Sequence, residues 1–171
     1  VLGKFSLKNA DKVMSAIKEK GKLFFTGEGS SRIFPAKNAM YCARRAGYDL
    51  NLATEGGLQA CSYDLSDFVV FGASNSGQTK EVIRLFDRLK NVNHKNLYGL
   101  TANQNTKLES LAHQTFLLSC GKEDAVAATK SVAEQGLFYQ TLLAAMHNID
   151  LSKKLSALAN EIGRASCRER V

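Results

Sequence analysis

Apolar residues along this chain alternate between two spacings. Short runs such as Leu23-Phe24-Phe25 and Val69-Val70-Phe71 are bounded by Gly, Ser or Asn and fit buried strands. Between them, apolar positions recur every three or four residues, as on helices with one buried face. The first such stretch, residues 11–20, sets Val13, Met14 and Ile17 on one side and stops at Gly21. The pattern then predicts strand 22–26, a turn over 27–31 and a helix over 32–46 with Pro35 in its first turn. Next come strand 48–53, short helix 55–61, strand 68–73, helix 77–89, strand 96–101, short helix 107–112 and strand 115–119. A long helix, 126–147, and a last one, 151–160, complete the series. Strands that alternate with helices predict an α/β fold: a five-stranded parallel sheet with helices on both faces, three αβα layers. No internal repeat or low-complexity linker divides the chain, so one domain is expected.

The junction after the third strand carries the most chemistry. Strand 68–73 runs into Ser74-Asn75-Ser76-Gly77-Gln78-Thr79, and a helical pattern follows at once. A helix entered this way offers unpaired N–H groups and the positive end of its dipole, which suits a phosphate. Ser74, Ser76 and Thr79 add hydroxyls, and three exceed what a single helix cap needs. Ser74, Asn75, Ser76, Gly77 and Thr79 are therefore the candidate phosphate ligands. Other polar clusters also fall at strand ends: Ser30-Ser31, the stretch 121–129 and the turn 101–105, the last without an evident role. In parallel sheets, ligands sit beyond the carboxyl ends of the strands.

Several competing chemistries are weaker. Gly27-Glu28-Gly29 suggests a dinucleotide turn, but Arg32 stands where the third glycine belongs. His94, His113 and His147 avoid the predicted strand ends and read as surface or helix-face residues, so none is assigned as a base. Glu55 and Glu123 can polarise a hydroxyl or cap a loop, and Lys130 reads as structural. Val132, Leu137, Leu142 and Leu143 form a stripe suited to the core or to a partner face.

Charge and cysteine content narrow the classes further. The net charge of +7 includes +2 from residues 162–171, where Arg164, Arg168 and Arg170 outnumber Glu169, leaving +5 for the rest. Residues 161–171 resemble the conceptual translation of a common short-read sequencing adapter and are expected to be no part of the fold. The remaining lysines are scattered and lack interleaved aromatics, so no nucleic-acid partner is expected. Of the four cysteines, Cys167 falls within residues 161–171; the remaining Cys42, Cys61 and Cys120 are odd in number and widely spaced, against a disulfide framework and against a zinc site. They read as small apolar packing residues. No apolar run reaches ~18 residues, so no membrane partner is expected.

Three motifs together resemble the sugar isomerase (SIS) domain family, particularly the isomerase half of glucosamine-6-phosphate synthase and its glutaminase-less relatives. Gly29-Ser30-Ser31 resembles the family's Gly-Thr-Ser turn. Ser74 to Thr79 resembles its Ser-Gln-Ser-Gly-Glu-Thr phosphate loop. Glu123-Asp124-Ala125-Val126-Ala127-Ala128-Thr129-Lys130, with Gln135 beyond, resembles its Glu-x-x-Val-Ala-Ser-Thr-Lys segment. Leu52 to Glu55 also resembles a family segment that ends in Glu after the second strand. The resemblance implies a flavodoxin-like sheet. It implies phosphate contacts from Ser74, Asn75, Ser76, Gly77 and Thr79, and sugar contacts from Ser30, Ser31, Glu123, Val126 and Ala128. Ala128 replaces a family serine, which removes one hydroxyl from the sugar site. The implied ligand is a sugar phosphate such as fructose 6-phosphate or glucosamine 6-phosphate, in a cytoplasmic homodimer without metal or cofactor. The catalytic Glu and His of such enzymes lie in a second SIS domain and a neighbouring subunit. Residues 1–160 are therefore expected to be the first of two such domains in a sugar-phosphate isomerase or deaminase. The alternative is a sensor domain that binds a phosphosugar without turning it over.

Overall fold

The computed structural model describes residues 7–121, 123 and 129–168. Its elements are α1 (Asp11–Lys20), β1 (Lys22–Gly27), α2 (Ser30–Arg45), β2 (Asn51–Gly56), α3 (Gly57–Ala60), β3 (Val69–Ala73), α4 (Lys80–Asn91), β4 (Leu97–Thr101), α5 (Lys107–Leu111), β5 (Gln114–Leu117), α6 (Lys130–Met146) and α7 (Ser152–Arg168). The five strands form one parallel sheet in the order β2-β1-β3-β4-β5. This is the expected doubly wound arrangement.

Strand alternation divides the core between the two faces. Leu23, Phe25, Val69, Phe71, Ala73 and Leu100 point to one side and pack against apolar residues of α1, α2 and α6. Phe24, Val70 and Leu97 point to the other and meet Val82, Leu85, Phe86 and Leu89 of α4 with Leu108 and Leu111 of α5. Phe71 and Tyr139 of the first cluster stand edge to face with ring centroids 5.6 Å apart. Ala36, Ala39 and Ala43 are all buried on α2, where small side chains let the helix approach closely. Neither cluster includes a described residue of α7.

Several boundaries differ from the sequence reading, each for a local reason. Helix α2 begins at Ser30, because Gly29 (φ 55°, ψ −132°) turns the chain and its carbonyl accepts from Arg32 and Ile33 N–H at 3.2 and 3.1 Å. Pro35 thus lies in the second turn, where the missing N–H leaves the Ser31 carbonyl without its helical partner. Strand β2 starts at Asn51 rather than at residue 48. The ladder with β1 pairs Lys22 with Asn51 and Gly27 with Gly56. Tyr48 instead stacks on His147 at 3.7 Å between centroids, and Leu50 packs against the core. Glu55 consequently belongs to the strand, and α3 shrinks to four residues. Helix α4 begins at Lys80, later than residue 77, since Gly77 has φ +65°. The expected start of the long helix at Val126 lies outside the described residues. Helix α7 continues past Asn160 to Arg168.

Candidate functional site

Strand order reverses at β1, whose neighbours β2 and β3 are reached in opposite directions. The carboxyl ends of β1 and β3 therefore open side by side into a crevice, the usual ligand position in such sheets. From β1 the chain enters the Ser30-Ser31 turn; from β3 it enters the loop 74–79. A cavity of about 540 Å³ lies here, lined by Ser31, Asn75, Ser76, Gln78, Thr79, the 103–106 turn and Glu123. That volume is in the range of small-molecule sites. None of its described lining residues is Lys or Arg.

The loop is shaped by its own hydroxyls. Buried Ser74 shares a 2.7 Å hydrogen bond with the Thr79 hydroxyl, and its Oγ accepts from Thr79 N–H at 3.4 Å. Exposed Ser76 accepts from Gln78 N–H at 3.2 Å. Helix α4 then opens with Ile83 N–H donating to the Thr79 carbonyl, so the N–H groups of Lys80 to Val82 precede its first bond. Gly77 adopts a left-handed backbone, and its carbonyl accepts from Leu108 N–H at 3.1 Å. A Cβ at this position would collide with Thr106 Cβ and Oγ1. Only glycine satisfies both conditions.

The polar turn 101–105 acquires a role that the sequence alone did not suggest. The Asn75 carbonyl accepts from Thr101 Oγ1 at 3.0 Å, Ala102 N–H at 3.1 Å and Asn103 Nδ2 at 2.8 Å. Behind it, Thr106 and Glu109 form a capping box at the start of α5. The end of β4 thus braces the loop after β3. A run of Thr and Asn at a strand end was the available signal.

Glu123 is drawn toward α6. One carboxylate oxygen accepts from Thr129 N–H (3.0 Å), Thr129 Oγ1 (3.3 Å) and Lys130 N–H (2.6 Å). The other accepts from Ser131 N–H (3.1 Å), the Ser131 hydroxyl and Asn75 Nδ2 (3.3 Å). Burial raises the Glu123 pKa, but the bonds from the Ser131 hydroxyl and the three N–H groups outweigh it and hold it at about 2. Of the two roles open to Glu123, the geometry displays the cap. Glu55 accepts from Gly56 N–H at 2.8 Å and pairs with Arg32 at 3.4 Å. Ser31 lines the cavity; Ser30, one residue earlier, does not. Val126 and Ala128 lie outside the described residues. Val132 and Leu137 border an apolar groove against Phe34 of α2, while Leu142 and Leu143 are buried.

The histidines lie away from this crevice. His113 and His147 are exposed as expected, whereas His94 is buried, a correction to the sequence reading. Its Nε2 lies 2.8 Å from the Leu65 carbonyl and its Nδ1 accepts from Asn96 N–H at 3.2 Å, a pairing that fixes the neutral tautomer with the proton on Nε2. The fold gathers the segments before β3 and β4 around this ring, which linear spacing does not reveal. Cys42, Cys61 and Cys120 are free thiols. Burial, then Glu134, pushes the Cys120 thiol up to about 11, so it is inert rather than nucleophilic.

Fold and crevice together define a doubly wound α/β protein with a loop rich in hydroxyls at its switch point. The SIS domain family model matches residues 16–145, and the chain belongs to that family. It is similar in structure to the C-terminal domain of glucosamine-fructose-6-phosphate aminotransferase from Francisella tularensis (TM-score 0.69, 17% identity). That match covers 96% of this chain and 47% of the other, so the chain spans about half the length of this relative. It is also similar to a hypothetical protein from Methanococcus jannaschii with an inferred function of 3-hexulose-6-phosphate isomerase (TM-score 0.66, 20% identity, 91% and 89% covered). A third match is the Vibrio vulnificus NanR protein complexed with ManNAc-6P (TM-score 0.63, 16% identity, 88% and 58% covered). No curated protein matches the chain in sequence. Among the described residues, no helix is long and apolar enough to cross a membrane.

Proposed function

We propose that this chain is a phosphosugar-binding SIS domain, the first half of a two-domain aldose–ketose isomerase or deaminase acting on amino-sugar or hexose 6-phosphates. The loop from Ser74 to Thr79 carries this reading: Asn75, Ser76, Gln78 and Thr79 line one cavity, and the left-handed Gly77 and the Ser74–Thr79 hydroxyl bond shape the loop just before α4 opens. Ser74, Asn75, Ser76, Gly77 and Thr79 hold the phosphate. The dipole of α4 favours the anion there, and hydrogen bonds replace the hydration it loses. The sugar extends toward Ser30, Ser31 and the segment that contains Glu123, Val126 and Ala128. One similar structure holds ManNAc-6P and another has an inferred 3-hexulose-6-phosphate isomerase function, which supports a sugar phosphate as the ligand class.

Isomerisation moves a proton between C1 and C2 and requires a base, with an acid to open the ring. Among the described residues at this crevice, Glu123 is committed to the cap and no histidine is present. In this reading the base and acid come from a second SIS domain and a neighbouring subunit, and the working enzyme is a cytoplasmic homodimer. Titration calorimetry of this chain with fructose 6-phosphate, glucosamine 6-phosphate and unphosphorylated fructose tests the reading. Binding is expected for the phosphorylated sugars only, without turnover. Equal affinity for fructose would overturn the phosphate assignment, and isomerase activity from this chain alone would overturn the split site.

A further inference from the structure

Six donors converge on the two carboxylate oxygens of Glu123. A carboxylate has about four lone-pair sites, so no capacity is left for a sugar hydroxyl. Five of the six donors belong to Thr129, Lys130 and Ser131. The sixth is Asn75, in the middle of the phosphate loop and 48 residues away in sequence. The Asn75 amide donates both to Glu123 and to Ser131 Oγ, each at 3.3 Å, while its Oδ1 is buried without a hydrogen-bond partner. An amide turned the other way would set that oxygen against the carboxylate, an unfavourable contact. The charge of Glu123 therefore decides which way Asn75 points.

We propose that Glu123 is a positioning residue that clasps Asn75 to the first turn of α6, so that the phosphate loop is ordered before an anion arrives. This rests on the phosphate-loop reading above. The Asn75 backbone is already bound to the end of β4, and the clasp fixes its side chain as well. Preorganisation of this kind removes an ordering cost from binding.

The isosteric variant Glu123→Gln separates this role from a purely electrostatic one. A carboxylate beside an anion repels it, so loss of charge alone predicts tighter binding of fructose 6-phosphate. Loss of positioning predicts the reverse, weaker binding by about tenfold, the scale of one hydrogen bond to a charged group. In calorimetry, Glu123→Gln should add nothing further on an Asn75→Ala background. Unchanged or tighter binding, or additive losses, would overturn the proposal. Amide hydrogen exchange tests it without ligand: the N–H groups of Gly77 to Thr79 should exchange about tenfold faster in Glu123→Gln. Unchanged exchange overturns the clasp even if no sugar phosphate binds. Failure of the unaltered chain to bind, with faster exchange in the variant, overturns the phosphosugar reading and leaves the clasp standing.

Discussion

The two ends of the sheet use polar residues in opposite ways. At the amino ends of β4 and β5, His94 joins the Leu65 carbonyl to Asn96 N–H, and His113 Nδ1 accepts from Leu97 N–H. These side chains are spent on the fold. At the carboxyl ends of β1 and β3, polar groups hold one another in place and line a cavity. The cause is directional. Right-handed crossovers in a parallel sheet bring helix N-termini, with their unpaired N–H groups, to the carboxyl edge. Helix C-termini gather at the other edge. Ser76 and Thr79 at the first edge line a cavity, whereas His94 and His113 at the second tie down loose backbone.

This contrast can be broken most forcefully at Gly77. Gly77→Ala should abolish measurable sugar-phosphate binding and destabilise the chain by about 2–3 kcal/mol, combining a left-handed backbone with a collision at Thr106. Calorimetry with urea unfolding checks both effects; normal binding would show that the loop has room to relax. Ser76→Ala should weaken sugar-phosphate binding by roughly 1.5–3 kcal/mol, the scale of a hydrogen bond to a charged group. Because Ser76 is exposed, the unfolding midpoint should stay nearly fixed, and an unchanged affinity in calorimetry would remove Ser76 from the site. The smallest effect belongs to the other edge. His94→Gln should cost about 1–2 kcal/mol of stability through poorer pairing of buried groups, with sugar-phosphate affinity intact. Burial holds the His94 pKa below its ordinary value of 6.5, so the unfolded chain takes up the proton first. Stability contributed by neutral His94 is then complete above pH 6.5 and declines as pH falls below it. Urea midpoints at pH 7.5 and 5.5 should differ less in the variant, and an equal pH dependence would remove His94 as the cause.

Element order and type were legible because each segment carries its own periodicity. Val13 and Ile17 a turn apart, or Val69 and Phe71 on one face of a strand, announce their element without help from elsewhere. The edge strand β2 was placed three residues early, since Tyr48 and Leu50 look like strand residues but are used in packing. The loop from Ser74 to Thr79 was legible as a loop as well: its glycine and hydroxyls are local signals that lie within six residues. His94 was misplaced because its burial comes from Leu65 and Asn96 meeting around it, and the Leu65 contact is distant in sequence.

Sequence alone thus determined the parallel α/β order, the helix-opening loop from Ser74 to Thr79 and the absence of lysine from it. These depend on short-range periodicity and on backbone preferences that each residue carries wherever it sits. Tertiary structure decided that the 101–105 turn would brace Asn75, that Thr106 would demand glycine at position 77, and that Glu123 would choose the cap. The first two are contacts between residues 26 and 29 positions apart, which no local pattern encodes; the cap itself spans six to eight positions, but Asn75, which joins it, lies 48 away. Hydrogen-bond geometry changes over a few tenths of an ångström, so only the packed sheet could assign those partners.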